Sequence, residues 1–208
     1  MSQRAFFAPD AKTKTVEVVQ EIERQTSAEV VVALRKSSGY YRHADYLFGF
    51  AVALATLVAV ILVPEPLSAL AVPLDALVMF VLGAAFCAQF FGLRRLLTGT
   101  RRRRENVRAA ALVAFHELGI SRTTGRWGVL VYLSILERDA EIVVDAGIDE
   151  ASLGDDWQRA VAELRAAMGA LDFPRVLGAM RALGPVLASA HPVGDDDVNE
   201  LPDELSAT

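Results

Sequence analysis

The chain has 208 residues, of which 53% are hydrophobic and 23% charged, with a formal net charge of −5 and a mean hydropathy of +0.32. An acidic balance excludes nucleic acid as the main partner, because neutralising phosphates needs a basic face. So apolar a chain cannot also spread its charges evenly, and its length fits one soluble domain of about 100–150 residues plus a membrane segment.

The opening residues, MSQRAFFAPDAKTK, lack the apolar core and small-residue cleavage site of a secretory leader, so no cleaved signal is expected there. Asp10 is placed to cap a helix running to about residue 25, with Val16, Val19 and Ile22 spaced for one buried face. The β-branched run AEVVVALR, residues 28–35, predicts a strand buried on both faces. Residues 46–63 read YLFGFAVALATLVAVILV, about 18 residues without a charge, and as a helix they extend roughly 27 Å, close to a bilayer core. A second such run begins at residue 74, and its helix is expected to end near residue 95, with Asp75 at its start and Gln89 as its deeper polar residue.

Pro64, Pro66 and Pro73 interrupt the chain between the two runs, predicting a helical hairpin over residues 40–98. No Lys or Arg lies in that connection, whereas Arg35, Lys36 and Arg42 precede the hairpin and Arg94, Arg95, Arg101, Arg102, Arg103 and Arg104 follow it. The positive-inside rule then places both flanks, and both termini, in the cytoplasm of a multi-pass inner-membrane protein. The four consecutive arginines are read as anchors to anionic lipid headgroups, and Tyr40, Tyr41 and Tyr46 as an interfacial belt. Small residues recur at Ala51, Ala55 and Ala59, and at Ala84, Ala88 and Gly92, which predicts close packing of the two helices. The lone cysteine, Cys87, lies inside the second run, where apolar surroundings disfavour a thiolate, and it permits no intramolecular disulfide.

Val107, Ala111, Ala114 and Leu118 form the next helical stripe, closed by Gly119. Residues 128–136, GVLVYLSIL, and 141–145, EIVVD, predict a β-hairpin. Residues 152–170, with Trp157, Val161, Leu164 and Met168 on one face, and residues 173–190, with Pro174 in the first turn, predict two helices. The acidic segment from residue 191 to the end reads as a loose tail. The expected fold is an α/β domain, an α+β sandwich in which a small mixed sheet is flanked by helices. Its first part covers residues 1–39 and its second residues 99–190, on either side of the inserted transmembrane hairpin.

EIERQTSAEVVVAL at residues 21–34, FHELGISRTTGRWGVLVYLSILERDAEIVVDAGI at residues 115–148 and the downstream Trp157 resemble the TPM domain. That family includes plant thylakoid-lumen proteins linked to photosystem repair, a nematode receptor-accessory protein and many bacterial membrane proteins. The hairpin insert and the tail HPVGDDDVNELPDEL resemble a bacterial membrane subgroup. Many members place the domain outside the cytoplasm, whereas the arginines here point inward. The resemblance implies acidic residues that bind Ca²⁺ or Mg²⁺, and in some plant relatives acid phosphatase activity. The positions matching that role are Glu29, Asp145 and Asp149 as metal ligands, with Arg126 as an anion-binding partner.

The residues themselves supply no recognised catalytic motif: no Walker loop, GxGxxG, GxSxG or paired cysteines. Asp195, Asp197 and Asn199 start a calcium-loop pattern, but Glu200 stands at its glycine position and Ser206 at its bidentate-glutamate position, so the pattern fails. His43, His116 and His191 show no zinc-site spacing. The expected function is a non-catalytic module that binds or assembles another membrane protein, with metal-dependent phosphatase activity as the alternative.

Overall fold

A computed structural model describes residues 3–62, 68, 71–123, 125–194 and 205–207. The chain divides into two compact units, Met1–Ser38 with Arg104–Thr208, and Gly39–Arg103.

The first unit is built on a four-stranded sheet in the order β3-β2-β1-β4. Strand β1 is Glu29–Arg35, β2 Gly128–Ser134, β3 Asp139–Val144 and β4 Leu205–Ala207. β1 and β2 pair in parallel along seven residues, from Glu29 opposite Gly128 to Arg35 opposite Ser134, and β3 returns antiparallel to β2. Helix α5 (Thr100–Glu117), from Arg104 onward, covers one face of the sheet. The other face carries α1 (Pro9–Glu23), α6 (Gly154–Ala170), α7 (Phe173–Arg181) and α8 (Leu183–Ala190). This is the expected mixed sheet flanked by helices.

Alternation along the strands divides the core in two. Val30, Val32, Leu34, Val129, Val131 and Leu133 pack into the larger cluster with Ile22, Trp157, Leu164 and Met180. Val31, Ala33, Leu130 and Tyr132 pack against Val107, Ala111 and Phe115 of α5. Every residue of β2 is buried, which explains why its sequence is a nearly continuous apolar run. Gly119 closes α5 with φ 71°, the left-handed conformation that favours glycine.

Three expectations for this unit change. Asp10 does not cap α1: Ala8 holds that position, Pro9 begins the helix, and the Asp10 carboxylate instead meets Lys14 Nζ at 2.5 Å one turn on. The last helix divides into α7 and α8 at Ala182, because Pro185 has no N–H for the Arg181 carbonyl and its ring would crowd that group in a continuous helix. Nor is the tail loose throughout. Thr26 forms a β-bridge with Pro192, and Leu205–Ala207 adds β4 to the free edge of β1, satisfying backbone groups there. Asp195, Asp197, Asn199 and Glu200 lie outside the described residues.

The second unit contains α2 (Arg42–Ile61), α3 (Ala71–Gln89) and α4 (Phe91–Leu97). α2 and α3 are each long and apolar enough to cross a membrane, and only 22% and 11% of their most apolar stretches is buried. Large apolar side chains stand exposed along both, among them Leu47, Phe50, Leu54 and Val58 of α2 and Leu77, Val81, Leu82 and Phe86 of α3. The second helix does not reach residue 95 unbroken: Phe90 takes an extended conformation, and α4 begins after it.

The helices approach through only part of the expected stripes, with Ala84 lying against Gly49. Ala51, Ala55, Ala59 and Gly92 are exposed, whereas Gly49 and Gly83 face the partner helix. A Cβ on Gly49 would stand 2.6 Å from the Phe80 carbonyl oxygen, and one on Gly83 would stand 3.1 Å from Gly49 Cα. Asp45 and Arg94 join in a bidentate pair, at 2.9 Å from Nε and 2.7 Å from Nη2, tying α4 to the first turn of α2. Tyr40 and Tyr46 are exposed as a belt requires, but Tyr41 is buried beside the His43 ring.

Candidate functional site

The segments GRWG, residues 125–128, and DAGID, residues 145–149, meet where β2 begins and β3 ends. Asp145 N–H donates to the Gly128 carbonyl at 2.8 Å, and Gly147 N–H to the Arg126 carbonyl at 3.0 Å. Gly147 is required by this approach, because a Cβ there would fall 2.5 Å from that same carbonyl oxygen. Arg126 has φ 55°, a strained conformation for a side-chain-bearing residue that persists only when its surroundings fix it.

What fixes it is Asp145, whose buried carboxylate accepts from Arg126 Nη2 at 2.7 Å, from Arg126 Nε at 3.2 Å and from Ala146 N–H at 2.7 Å. Burial alone would raise the Asp145 pKa, but the Arg126 and Ala146 hydrogen bonds and the nearby positive charge outweigh it and hold the carboxyl below its ordinary range. Arg126 is thus paired with the chain's own Asp145 carboxylate.

The proposed metal ligands do not fit a hard dication. Among the described residues no group of three His, Cys, Asp or Glu side chains is placed to hold a metal, so Glu29, Asp145 and Asp149 form no such set. Glu29 opens β1, where its N–H donates to the Trp127 carbonyl at 3.2 Å. Asp145 is neutralised by Arg126. Asp149 lies in the turn beyond, and its Oδ1 accepts from Ala151 N–H at 3.1 Å, which is ordinary turn chemistry. The histidines are equally separate: His43 meets Thr98 at 3.3 Å, His116 lies against Phe115, and His191 lies beside Trp127 with ring centroids 5.0 Å apart.

A depressed folded-state pKa means that Asp145 contributes stability above the unfolded carboxylate value of about 4, and that this contribution is lost as pH falls through the lower folded value. Arg126→Ala removes the countercharge and leaves burial dominant. The variant is expected to lose stability at neutral pH and to begin its acid-side decline at higher pH than the parent. Urea midpoints measured from neutral to acid pH check this, and superimposable profiles would contradict it. Both residues have side chains, so the strain at φ 55° does not differ between them.

A second polar cluster lies at the opposite strand ends, and the sequence reading missed it. Ser38 Oγ donates to Ser134 Oγ at 2.7 Å, Ser134 Oγ donates to Glu137 Oε2, and Ser38 N–H donates to Glu137 Oε1 at 2.8 Å. With the Ser38 proton committed, Tyr132 donates its hydroxyl to Ser38 Oγ at 3.1 Å. Burial pushes the Tyr132 hydroxyl above its ordinary pKa. Arg35, Ser38, Tyr132 and Asn106 share a groove of ≈ 400 Å³ with the Ala110 and Val113 flank of α5. The relay from Tyr132 to Glu137 satisfies a buried carboxylate and fixes the end of β1. One local signal was available: Ser134 interrupts a wholly apolar run, with Glu137 three residues on.

Arg101, Arg102 and Arg104 are exposed on α5, while Arg103 is half-buried.

No family model matches the chain, and no curated protein matches it. It is similar to a solved structure, the NMR structure of BA42 protein from the psychrophilic bacterium Bizionia argentinensis, at 17% identity and a TM-score of 0.58, covering 97% of this chain and 94% of that one. At that identity the likeness shows the fold alone.

Proposed function

We propose that this chain is a multi-pass inner-membrane protein of the TPM type. In this reading the α+β domain is cytoplasmic, is interrupted by a transmembrane hairpin, and serves as a non-catalytic module that binds or assembles another membrane protein. The observation that carries the reading is the apolar exposure of α2 and α3: the core helix of a soluble protein would cover Phe50, Leu54, Leu82 and Phe86, which stand exposed here. A binding role is supported by the use of Asp145 and Arg126 on each other, which leaves that pair as architecture rather than as a reactive site. The cytoplasmic orientation rests on Lys and Arg flanking the hairpin and absent from its connection. Exposed Arg101, Arg102 and Arg104 supply charge for anionic lipid headgroups.

The test is a pair of reporter fusions active only outside the cytoplasm, one at Ala69 and one at the C-terminus. The first is expected to give signal and the second none. Signal from the C-terminal fusion would reverse the orientation, and silence from both would remove the membrane crossing.

A further inference from the structure

The outer edge of β1 is covered by other pieces of the chain, one near and one remote. Glu23 Oε1 accepts from the Val30 N–H at 3.0 Å, and Pro192 bridges Thr26. β4 pairs with only three residues, Val32, Ala33 and Leu34, where β2 on the inner side pairs with seven. Arg35 grips the short strand: its Nη1 donates to the Ser206 carbonyl at 2.6 Å, to Ser206 Oγ at 3.1 Å and to its own neighbour's Leu34 carbonyl at 3.3 Å. The edge thus offers a ladder of backbone groups, strand residues that are buried while β4 is in place, and a cation reading one carbonyl and one small hydroxyl.

That is the constitution of a site for an extended peptide. We propose that the outer edge of β1 captures an extended segment of a partner protein, parallel to β1, carrying a serine at the place that Ser206 holds opposite Ala33. β4, Leu205-Ser206-Ala207, is the chain's own occupant, and it must leave for the partner to enter. A three-residue strand makes few hydrogen bonds and stays seated because it is tethered, at an effective concentration that a free peptide must exceed. A longer partner strand can displace it by continuing along Glu29–Val31, beyond the reach of β4, where its backbone carbonyl takes the place of Glu23 Oε1 on the Val30 N–H. The proposal rests on the chain being a binding module and names the chemistry of what it binds.

The test uses the full membrane protein in detergent, with Cys87→Ser and Val32→Cys, since Val32 is the register partner of Leu205. It is compared with the same protein ended after Gly194. The probe is a peptide of residues 201–208 carrying Leu205→Cys, which keeps Ser206, and the control carries Ala207→Cys instead, two residues out of register. In the shortened protein the Leu205→Cys peptide is expected to form the mixed disulfide about tenfold faster than the control. The intact tail is expected to suppress that trapping about tenfold, and added Arg35→Ala to reduce it about tenfold.

Equal trapping of the two peptides, or trapping undiminished by the intact tail, would overturn the proposal. If the shortened protein does not fold, the full-length variant with Leu205→Gly, Ser206→Gly and Ala207→Gly replaces it, with the same expected preference and the same overturning result. Dimers of the intact chain that vanish with the tail would assign the edge to a second copy and equally overturn it. Trapping reads strand capture whichever way the hairpin is oriented, and the reporter fusions read orientation whatever the edge binds, so the two failures are distinguishable.

Discussion

Replacing residues 40–98 by a Gly/Ser linker of about 8–12 residues is expected to yield a water-soluble protein that unfolds in one cooperative transition. The reason lies in how the halves of the first unit meet. β1 comes before the hairpin and β2 after it, yet they pair along seven residues. Ile22 and Leu34 from the first half share a core with Trp157, Leu164 and Met180 from the second. Changing the length of the connection alters closure entropy by only about a kcal/mol, against about 1.5–3 kcal/mol for each large apolar side chain buried between the halves. Removing α2 and α3 also removes their exposed apolar faces. Gel filtration and urea unfolding of several linker lengths provide the check. Aggregation or absence of cooperative unfolding at every length would mean that the two halves are not one domain.

Trp157→Ala is expected to cost about 3–5 kcal/mol, a large share of the 5–15 kcal/mol that separates folded from unfolded domains. Trp157 is 1% exposed, and α6 carries it into the core shared with β1, β2 and α7. Truncation to alanine removes an indole from packed surroundings and leaves a void that the sheet on one side and α7 on the other cannot both close. The indole N–H also donates to Glu150 Oε2 at 3.4 Å, a long contact that contributes little. Urea midpoints of parent and variant measure the loss. A value under about 1 kcal/mol would contradict the packing of α6 on the sheet.

Much of this architecture was legible in the sequence because it follows from local periodicity. AEVVVALR and GVLVYLS are apolar at successive positions because the strands they form are covered on both faces, and Val107, Ala111 and Ala114 repeat at helical spacing because one side of α5 meets the sheet. The two apolar helices were equally plain, since each shows as a long run with almost no charge.

What escaped the sequence reading depends on contacts distant along the chain. Ser38 and Ser134 meet only because β1 and β2 pair in parallel, and no motif spacing carries that relation. Leu205-Ser206-Ala207 looks like part of a polar tail until the unsatisfied edge of β1 gives it a partner. Among the metal candidates, Asp145 was rightly placed near a strand end, but its chemistry was set by Arg126, nineteen residues earlier. Of the alanine stripes that suggested a helix interface, Ala84 lies at the contact, and Gly49 and Gly83 allow the close approach.

Alkaline carbonate extraction of membranes from cells expressing the full chain or the hairpin-replaced chain tests the central claim most directly, because it strips proteins held by charge and leaves those that cross the bilayer. The full chain is expected to stay entirely with the membranes and the hairpin-replaced chain to appear entirely in the soluble fraction. Release of the full chain by carbonate would contradict the account, since α2 and α3 would then not be membrane spans.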